Sequence, residues 1–468
     1  MSTVLKPYSA YALSPVPWLD NVPADWKAIR LDRLFRYRSE VPIESDARVT
    51  GYLDGRVTLR SNVAGQKIKG VVHETGWQRI HIGDFAISGM NAHLGGMGVS
   101  DSEGKCSPIY LILEPRPGTN AHFVSLAVRH AAHLGAIKAL VQTIRFNSAD
   151  MKRADLKSIY VPIPPAGEQA QIVRFVRNLD QRVNLLIKSK RRLMELLNEQ
   201  KQAIIHRAVT RGLDPTVPLK PSGIDWLGDV PNHWRVRRIR HVADMLVSNV
   251  DKHSHENEED IRLCNYVDVY KNEAITDQLK FMKATASKDE VKRFRIQVGD
   301  VIITKDSELW SDIGVPAVVR HEADDLVCGY HLAILRPDAS ELSGEFLLRC
   351  LQDRLIATQL HVAANGITRY GLSQGSIKSC LVPVPPLEEQ GHLVNHLMEA
   401  TRDLTLAISK MQVEIDLIRE YRTRLVADVV TGQLNVRHLD LPEVEESLIE
   451  AIDAGDEDEE LEELETEA

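Results

Sequence analysis

The chain repeats itself, and the repeat constrains the fold more than any other feature of the sequence. Residues 161–213 begin VPIPPAGEQAQIV and residues 382–434 begin VPVPPLEEQGHLV; the two segments align without a gap at an offset of 221. Pro162/Pro383, Pro164/Pro385, Pro165/Pro386, Glu168/Glu389, Gln169/Gln390 and Thr210/Thr431 are shared. Earlier in each half, WLDNVPADW (18–26) matches WLGDVPNHW (226–234), and IHIGDFAIS (80–88) matches IQVGDVIIT (296–304). The offset drifts from 208 to 221, so the frame is kept while the middles differ by insertions.

Each proline run pre-sets an extended entry and cannot sit inside a helix. A helical pattern starts just after it, with Glu168 and Glu389 in the first turn, where negative charge suits the helix dipole. Apolar residues then recur every 3.5 positions: Ile172, Val176, Leu179, Val183, Leu186, Leu193, Leu197 and Ile204. Lys190 and Gln200 interrupt the stripe; adding 221 to these ten positions gives Leu393, Leu397, Ala400, Leu404, Ala407, Met411, Ile418 and Leu425, with Glu414 and Tyr421 at the two remaining seam positions. This spacing predicts two long helices that pair as an antiparallel coiled coil with a pseudo-two-fold axis. Two separately packed core helices are the plainer alternative. The first helix, 168–210, would extend ~65 Å at 1.5 Å per residue.

The middles, 40–160 and 248–380, read as short strands and turns with short helices at 121–140 and 343–360, an α+β pattern. PIYLILEP (108–115) and YHLAILRP (330–337) look like buried strands. A polar, glycine-containing loop follows each Gly-Asp strand, at 88–98 and 304–314. Unlike loops on a shared frame are where specificity usually resides. The expected domains are 1–160 and 214–381 for two mixed α/β units, 161–213 and 382–435 for two helices, and an acidic tail over 436–468 that is too charged to bury a core.

The net charge of −9 argues against a nucleic-acid partner until the tail is set aside. Residues 443–468 hold 14 Asp and Glu and no Lys or Arg; without them 57 basic residues face 52 acidic ones, and the body is near +5. No run of ~18 apolar residues predicts a membrane span, and the first twenty residues lack a secretory core. Five cysteines (106, 264, 328, 350 and 380) without a C-x-x-C fit reduced cytosolic thiols, which makes the cytoplasm the expected location. His130/His133 and His253/His255 lack the companions of a metal set.

Catalytic patterns are mostly missing. Gly98–Cys106 nearly makes a phosphate loop, but has one residue too many and a cysteine in place of the metal-binding hydroxyl. Asp277 with Glu290 and Lys292 only faintly resembles a nuclease cluster, and such residues usually form a solvated surface.

V-P-[IV]-P-P-x-x-E-Q leading into a heptad helix, twice, each after a middle that begins W-L-x-x-V-P-x-x-W, resembles the DNA-specificity subunit of type I restriction-modification systems. The resemblance spans nearly the whole chain apart from residues 1–13 and the tail. It implies that each middle is a target recognition domain reading one half of a split DNA sequence. It also implies that the helices act as a spacer and dock two methyltransferase subunits, which translocase-nuclease subunits join. Pro164, Pro165, Glu168, Gln169, Pro385, Pro386, Glu389 and Gln390 carry the family frame and the expected partner docking. The chain itself would be no enzyme and hold no cofactor, with S-adenosylmethionine, ATP and Mg²⁺ on the partner subunits. Thr368-Arg369-Tyr370 also resembles a segment found before the proline run, whereas Ile144-Arg145-Phe146 keeps only the arginine.

DNA-binding candidates follow from charge and loop position, since phosphate contacts position a protein and base contacts specify its site. They are Lys67, Lys69, Arg79, Asn91, His93, Lys105 and Arg145 in the first half, and Arg235, Arg237, Arg238, Lys305, Asp306, Ser307 and Arg369 in the second. Competing classes are a fused methyltransferase or nuclease, which would act on DNA alone, and a coiled-coil scaffold that never touches DNA.

Overall fold

The computed structural model describes residues 5–63, 75–140, 143–145, 148–149 and 151–442. Helices and strands are mixed, as an α+β pattern requires. The chain divides into two compact units, Met1–Arg191 with Gln412–Ala468, and Arg192–Met411. The division falls inside both long helices, Ala166–Arg211 and Leu387–Val430, so each unit holds one middle and part of each helix.

In the first unit, strand Lys27–Arg30 pairs antiparallel with Tyr160–Ile163, which carries the start of the proline run. Proline is tolerated because the ribbon has only two strands and its outer edge needs no donor. A four-stranded sheet runs in the order Phe35–Tyr37, Tyr110–Pro115, Phe85–Ser88, Met97–Val99. Alternation along its strands sends Phe85, Ile87 and Leu113 to one core, with Phe123, Val124 and Val128 of helix Ala121–His133. Ala86 and Ile112 join a second core with Val49, Val57 and Ile80.

The second unit has the same ribbon, Arg235–Arg238 against Leu381–Val384, so the cationic run is part of the frame. Its five-stranded sheet runs Ala243–Val247, Leu332–Pro337, Val301–Thr304, Pro316–Val319, Ala274–Ile275. Val301, Ile303, Ala333 and Leu335 pack with helix Gly344–Gln352. Ile302, Ile334, Ala317 and Val319 line the other face. A further three-stranded sheet, Met282–Ala286, Glu259–Cys264 and Leu326–Cys328, belongs to this unit.

The repeated motifs have repeated jobs. Gly83 and Gly299 take positive φ (87° and 92°), which glycine adopts at no steric cost. Asp84 and Asp300 then cap the turns, accepting from the backbone N–H of His81 and Gln297 (2.9 Å each) and pairing with Arg38 and Arg336. Gln169 donates to the Pro164 carbonyl (2.9 Å) and accepts from the Asn120 N–H (3.3 Å); Gln390 donates to Pro385 (2.8 Å) and accepts from Ser343 (2.9 Å). Asn120 and Ser343 are the N-caps of the helices packed on the two sheets. Each glutamine thus ties proline run, helix start and sheet-covering helix together.

Within the first unit the long helices are tied by Arg422 to Asp180 (2.8 and 3.0 Å) and by Lys190 to Glu414, so numbers rise along one helix as they fall along the other. The inward stripe differs from the spacing predicted from sequence. Val176, Ile187, Ile415 and Leu425 are buried, whereas Leu186, Leu193 and Tyr421 are 46%, 44% and 63% exposed. From Val183 and Met411 the stripe steps four residues, to Ile187 and Ile415, rather than three. At 3.6 residues per turn the fourth residue lies ~40° off its start and the third ~60° off, so either fits a heptad. Glu414 pairs with Lys190, which leaves Ile415 to turn inward.

Candidate nucleic-acid interface

In the second unit the sheet delivers four of the residues singled out above to one place. Strand Val301–Thr304 ends at Lys305, and Asp306–Ser307 then pairs with Tyr370–Gly371, which brings Arg369 alongside. Asp306 sits within 3.3 Å of the Lys305 ammonium, 3.1 Å of the Arg369 guanidinium and 2.6 Å of His331 Nδ1. Lys305 also lies over the Tyr330 ring, 5.4 Å from its centre. Ser307 is buried and 3.4 Å from the Tyr266 hydroxyl, and Tyr266 stacks on Tyr270 at 5.5 Å. Trp310 and Tyr330 stay 55% and 49% exposed at this sheet end. One carboxylate restrains several donors, so the cluster offers a fixed, net-cationic set beside apolar rings. Such a set can meet phosphate, base edges and the thymine methyl.

Tyr266, Tyr330 and His331 were missed from sequence. Tyr330 and His331 precede a strand whose residues 332–335 are buried, and the apolar run hid its polar lip. Arg235 reaches Glu341 (3.4 Å), Arg238 is exposed, and Arg237 holds its Nε buried without a hydrogen bond among the described residues. The structure therefore separates these three strand residues by environment and groups none of them in the Asp306 contact set.

The first unit is arranged differently. Arg79 meets Asp46 (3.4 Å), Glu40 (3.5 Å) and Glu103 (4.0 Å), which neutralise it, and half-buried Lys105 sits opposite Arg79 in a two-stranded ribbon. Asn91 is exposed at the start of the short turn Ala92–Leu94. His93 is buried, and loss of hydration pushes its pKa below the ordinary histidine value. The backbone of Arg145 ends strand Thr143–Arg145, while Lys67 and Lys69 lie outside the described residues.

Known proteins resemble this chain over most of its length. Residues 231–414 match the family model described as the type I restriction modification DNA specificity domain. A putative type I restriction enzyme MjaX specificity subunit of Methanocaldococcus jannaschii is 22% identical over 90% of this chain and 96% of its own length. The MjaVIII specificity subunit of the same organism is 19% identical over 90% and 95%. The fold also resembles a chain from a solved type I R-M system, with TM-score 0.61 and 16% identity over 88% of this chain and 99% of that one. Along most of its length the chain is similar to type I restriction-modification specificity subunits.

The frame residues do unexpected work. Pro164, Glu168 and Gln169 are buried, as are Pro385 and Gln390, and both glutamines spend their bonds inside the fold. Their side chains sit inside the fold, whereas Pro165, Pro386 and half-exposed Glu389 remain at the surface. Among the described residues no group of three or more His, Cys, Asp and Glu suits a metal ion. The five cysteines are buried, and burial pushes the Cys106 and Cys380 thiols up to about 12, away from nucleophilic use. No described helix is long and apolar enough to cross a membrane.

Proposed function

We propose that this chain is the sequence-reading subunit of a type I restriction-modification complex, with each unit reading one half of a bipartite DNA target. It acts as a recognition subunit, and methyl transfer and cleavage belong to its partners. The observation that carries the reading is the Lys305–Asp306–His331–Arg369 cluster at one sheet end, inside the segment that matches the DNA specificity model.

The internal duplication supplies the two halves. Equivalent ribbons, sheet orders and glutamine ties support it. The oppositely running ties Asp180–Arg422 and Lys190–Glu414 support an antiparallel coiled coil that fixes the spacer between the half-sites. Partners of this function are duplex DNA, two methyltransferase subunits and the translocase-nuclease subunits, which bring S-adenosylmethionine, ATP and Mg²⁺.

A map of DNA methylation in cells with and without the chain tests the reading. Methylation at one split motif should vanish with the chain, and exchanging residues 40–160 for another middle should change one half of that motif only. A motif that stays whole after the exchange would sink the two-reader scheme. Inserting one heptad at the same level in both helices should add ~10 Å, about three base pairs at 3.4 Å each, to the tolerated spacer.

A further inference from the structure

An open pocket in the first unit lies outside the loops discussed so far. Arg30, Asp32, Arg33, Arg116 and Lys157 line it. Asp32 is taken by a two-pronged pair with Arg30 (3.0 Å each), and Arg116 Nε donates to the Phe35 carbonyl (3.3 Å). Arg33 and Lys157 are exposed and meet no ion-pair or hydrogen-bond partner among the described residues. Four cations against one carboxylate leave the pocket at +3.

The second unit repeats the arrangement by register. Arg30 faces Tyr160 and Leu31 N–H donates to Ile159, whereas Arg238 faces Leu381 and Ile239 N–H donates to Cys380 (2.9 Å in both). The same register sets Arg240 where Asp32 stands, His241 where Arg33 stands and Lys378 where Lys157 stands. Asp338 replaces Arg116, yet the gain of Arg240 keeps the position cationic. Only the charge recurs, not the individual residues, which is what a ligand recognised by charge demands.

We propose that the pocket of Arg30, Arg33, Arg116 and Lys157 grips backbone phosphates of the DNA beside the bases read by the first unit, and that Arg238, Arg240 and Lys378 do so for the second. This rests on the DNA-reading function proposed above. A ligand that meets both units alike must itself be repetitive and anionic, and duplex DNA carries one charge per ~1.7 Å of axis. Guanidinium forks and ammonium groups suit phosphate oxygens. The position also fits. Lys378 lies on the six-residue helix Gln374–Ser379, which starts three residues after Tyr370–Gly371, the strand paired with Asp306–Ser307. That helix spans ~9 Å, so Lys378 lies a short step along the backbone from the base-reading cluster.

The test measures binding to target and scrambled duplexes across a salt series, with the full chain assembled with its methyltransferase partners. Arg33→Ala/Lys157→Ala should lower the slope of log affinity against log salt by ~1.8, at ~0.9 per lost phosphate contact. If the electrostatic gain vanishes near 1 M salt, that slope corresponds to a loss of roughly 60-fold at 0.1 M. Both duplexes should lose affinity alike, leaving base preference unchanged. Arg238→Ala/Lys378→Ala should repeat the result, and unchanged thermal unfolding checks the fold of both variants. An unchanged slope, or a loss traced to failed assembly with the methyltransferase subunits, overturns the phosphate assignment. A wild-type complex that binds DNA with no sequence preference, but whose slope still drops in the variant, overturns the reading function and leaves the clamp standing.

Discussion

The start of each long helix is built twice from the same motif, and the two copies agree in one residue and part ways in the next. Gln169 and Gln390 make matching bonds because they bind backbone, and the backbone path is the same. Glu168 and Glu389 bind side chains, and those differ. Glu389 accepts from Trp234 Nε1 (3.0 Å) and meets His233 (2.7 Å), leaving it partly exposed. Glu168 is buried and takes the Tyr8 hydroxyl and the Arg437 guanidinium, while Trp26 Nε1, the match of Trp234, is buried without a hydrogen bond among the described residues. In the second unit the covering chain runs straight on from the first helix through residues 212–221. In the first it comes from both ends of the protein, joined where Asn435 N–H donates to the Lys6 carbonyl (2.8 Å). Two copies of one motif can therefore keep their main-chain ties and renegotiate their side-chain ones wherever the covering segment changes.

The sharpest way to break this comparison lies at the helix ends. Gly212 and Gly432 both have positive φ (73° and 77°) after the last turn. A Cβ at Gly212 would be 3.4 Å from Trp234, an ordinary contact, but at Gly432 it would be 2.4 Å from Pro23 Cδ. Gly212→Ala should cost about 1–2 kcal/mol for the left-handed backbone alone. Gly432→Ala adds overpacking and should cost about 2–5 kcal/mol. Urea unfolding of the two variants measures the gap, and equal losses would show that the two covers are equally tight.

The frame glutamates come next. Glu168→Gln removes the charge that Arg437 and Tyr8 meet in a buried site and should cost about 1.5–3 kcal/mol. Glu389→Gln keeps an oxygen for Trp234 in a partly exposed site and should cost less than about 1 kcal/mol. A larger loss at Glu389 would reverse the assignment of tight and loose ends.

The repeat, the helices and the strand-rich middles were legible in the sequence because period and proline placement report backbone directly. The side of the stripe was not. Leu186 and Ile187 are equally apolar, and only a helix facing the pair selects Ile187 for burial. The Lys305–Asp306–Ser307–Arg369 grouping was half legible, since loop position named the residues but strand pairing across some 60 positions brought Arg369 to Asp306. The pocket at Lys157 was not legible at all, because its cations are scattered from residue 30 to residue 157 and no local pattern joins them.

The smallest expected effect concerns the two loop regions and pH. His331 is half-exposed and faces Asp306, whereas His93 is buried, with Lys138 adding to the cost of charging it. Burial is the main cause that lowers the His93 pKa. The unfolded chain therefore binds the proton more readily, near the ordinary value of about 6.5. The stability tied to a neutral His93 is full above that pH and is lost as pH falls toward the folded value. His130 and His133 shift the same way for the same reason, so they share the acid-side slope of this unit. His93→Gln should flatten part of that slope between pH 7 and 5 in thermal unfolding while changing little at pH 8. A variant as acid-sensitive as the parent would mean that His93 finds a proton acceptor on folding and is not the buried, neutral counterpart of His331.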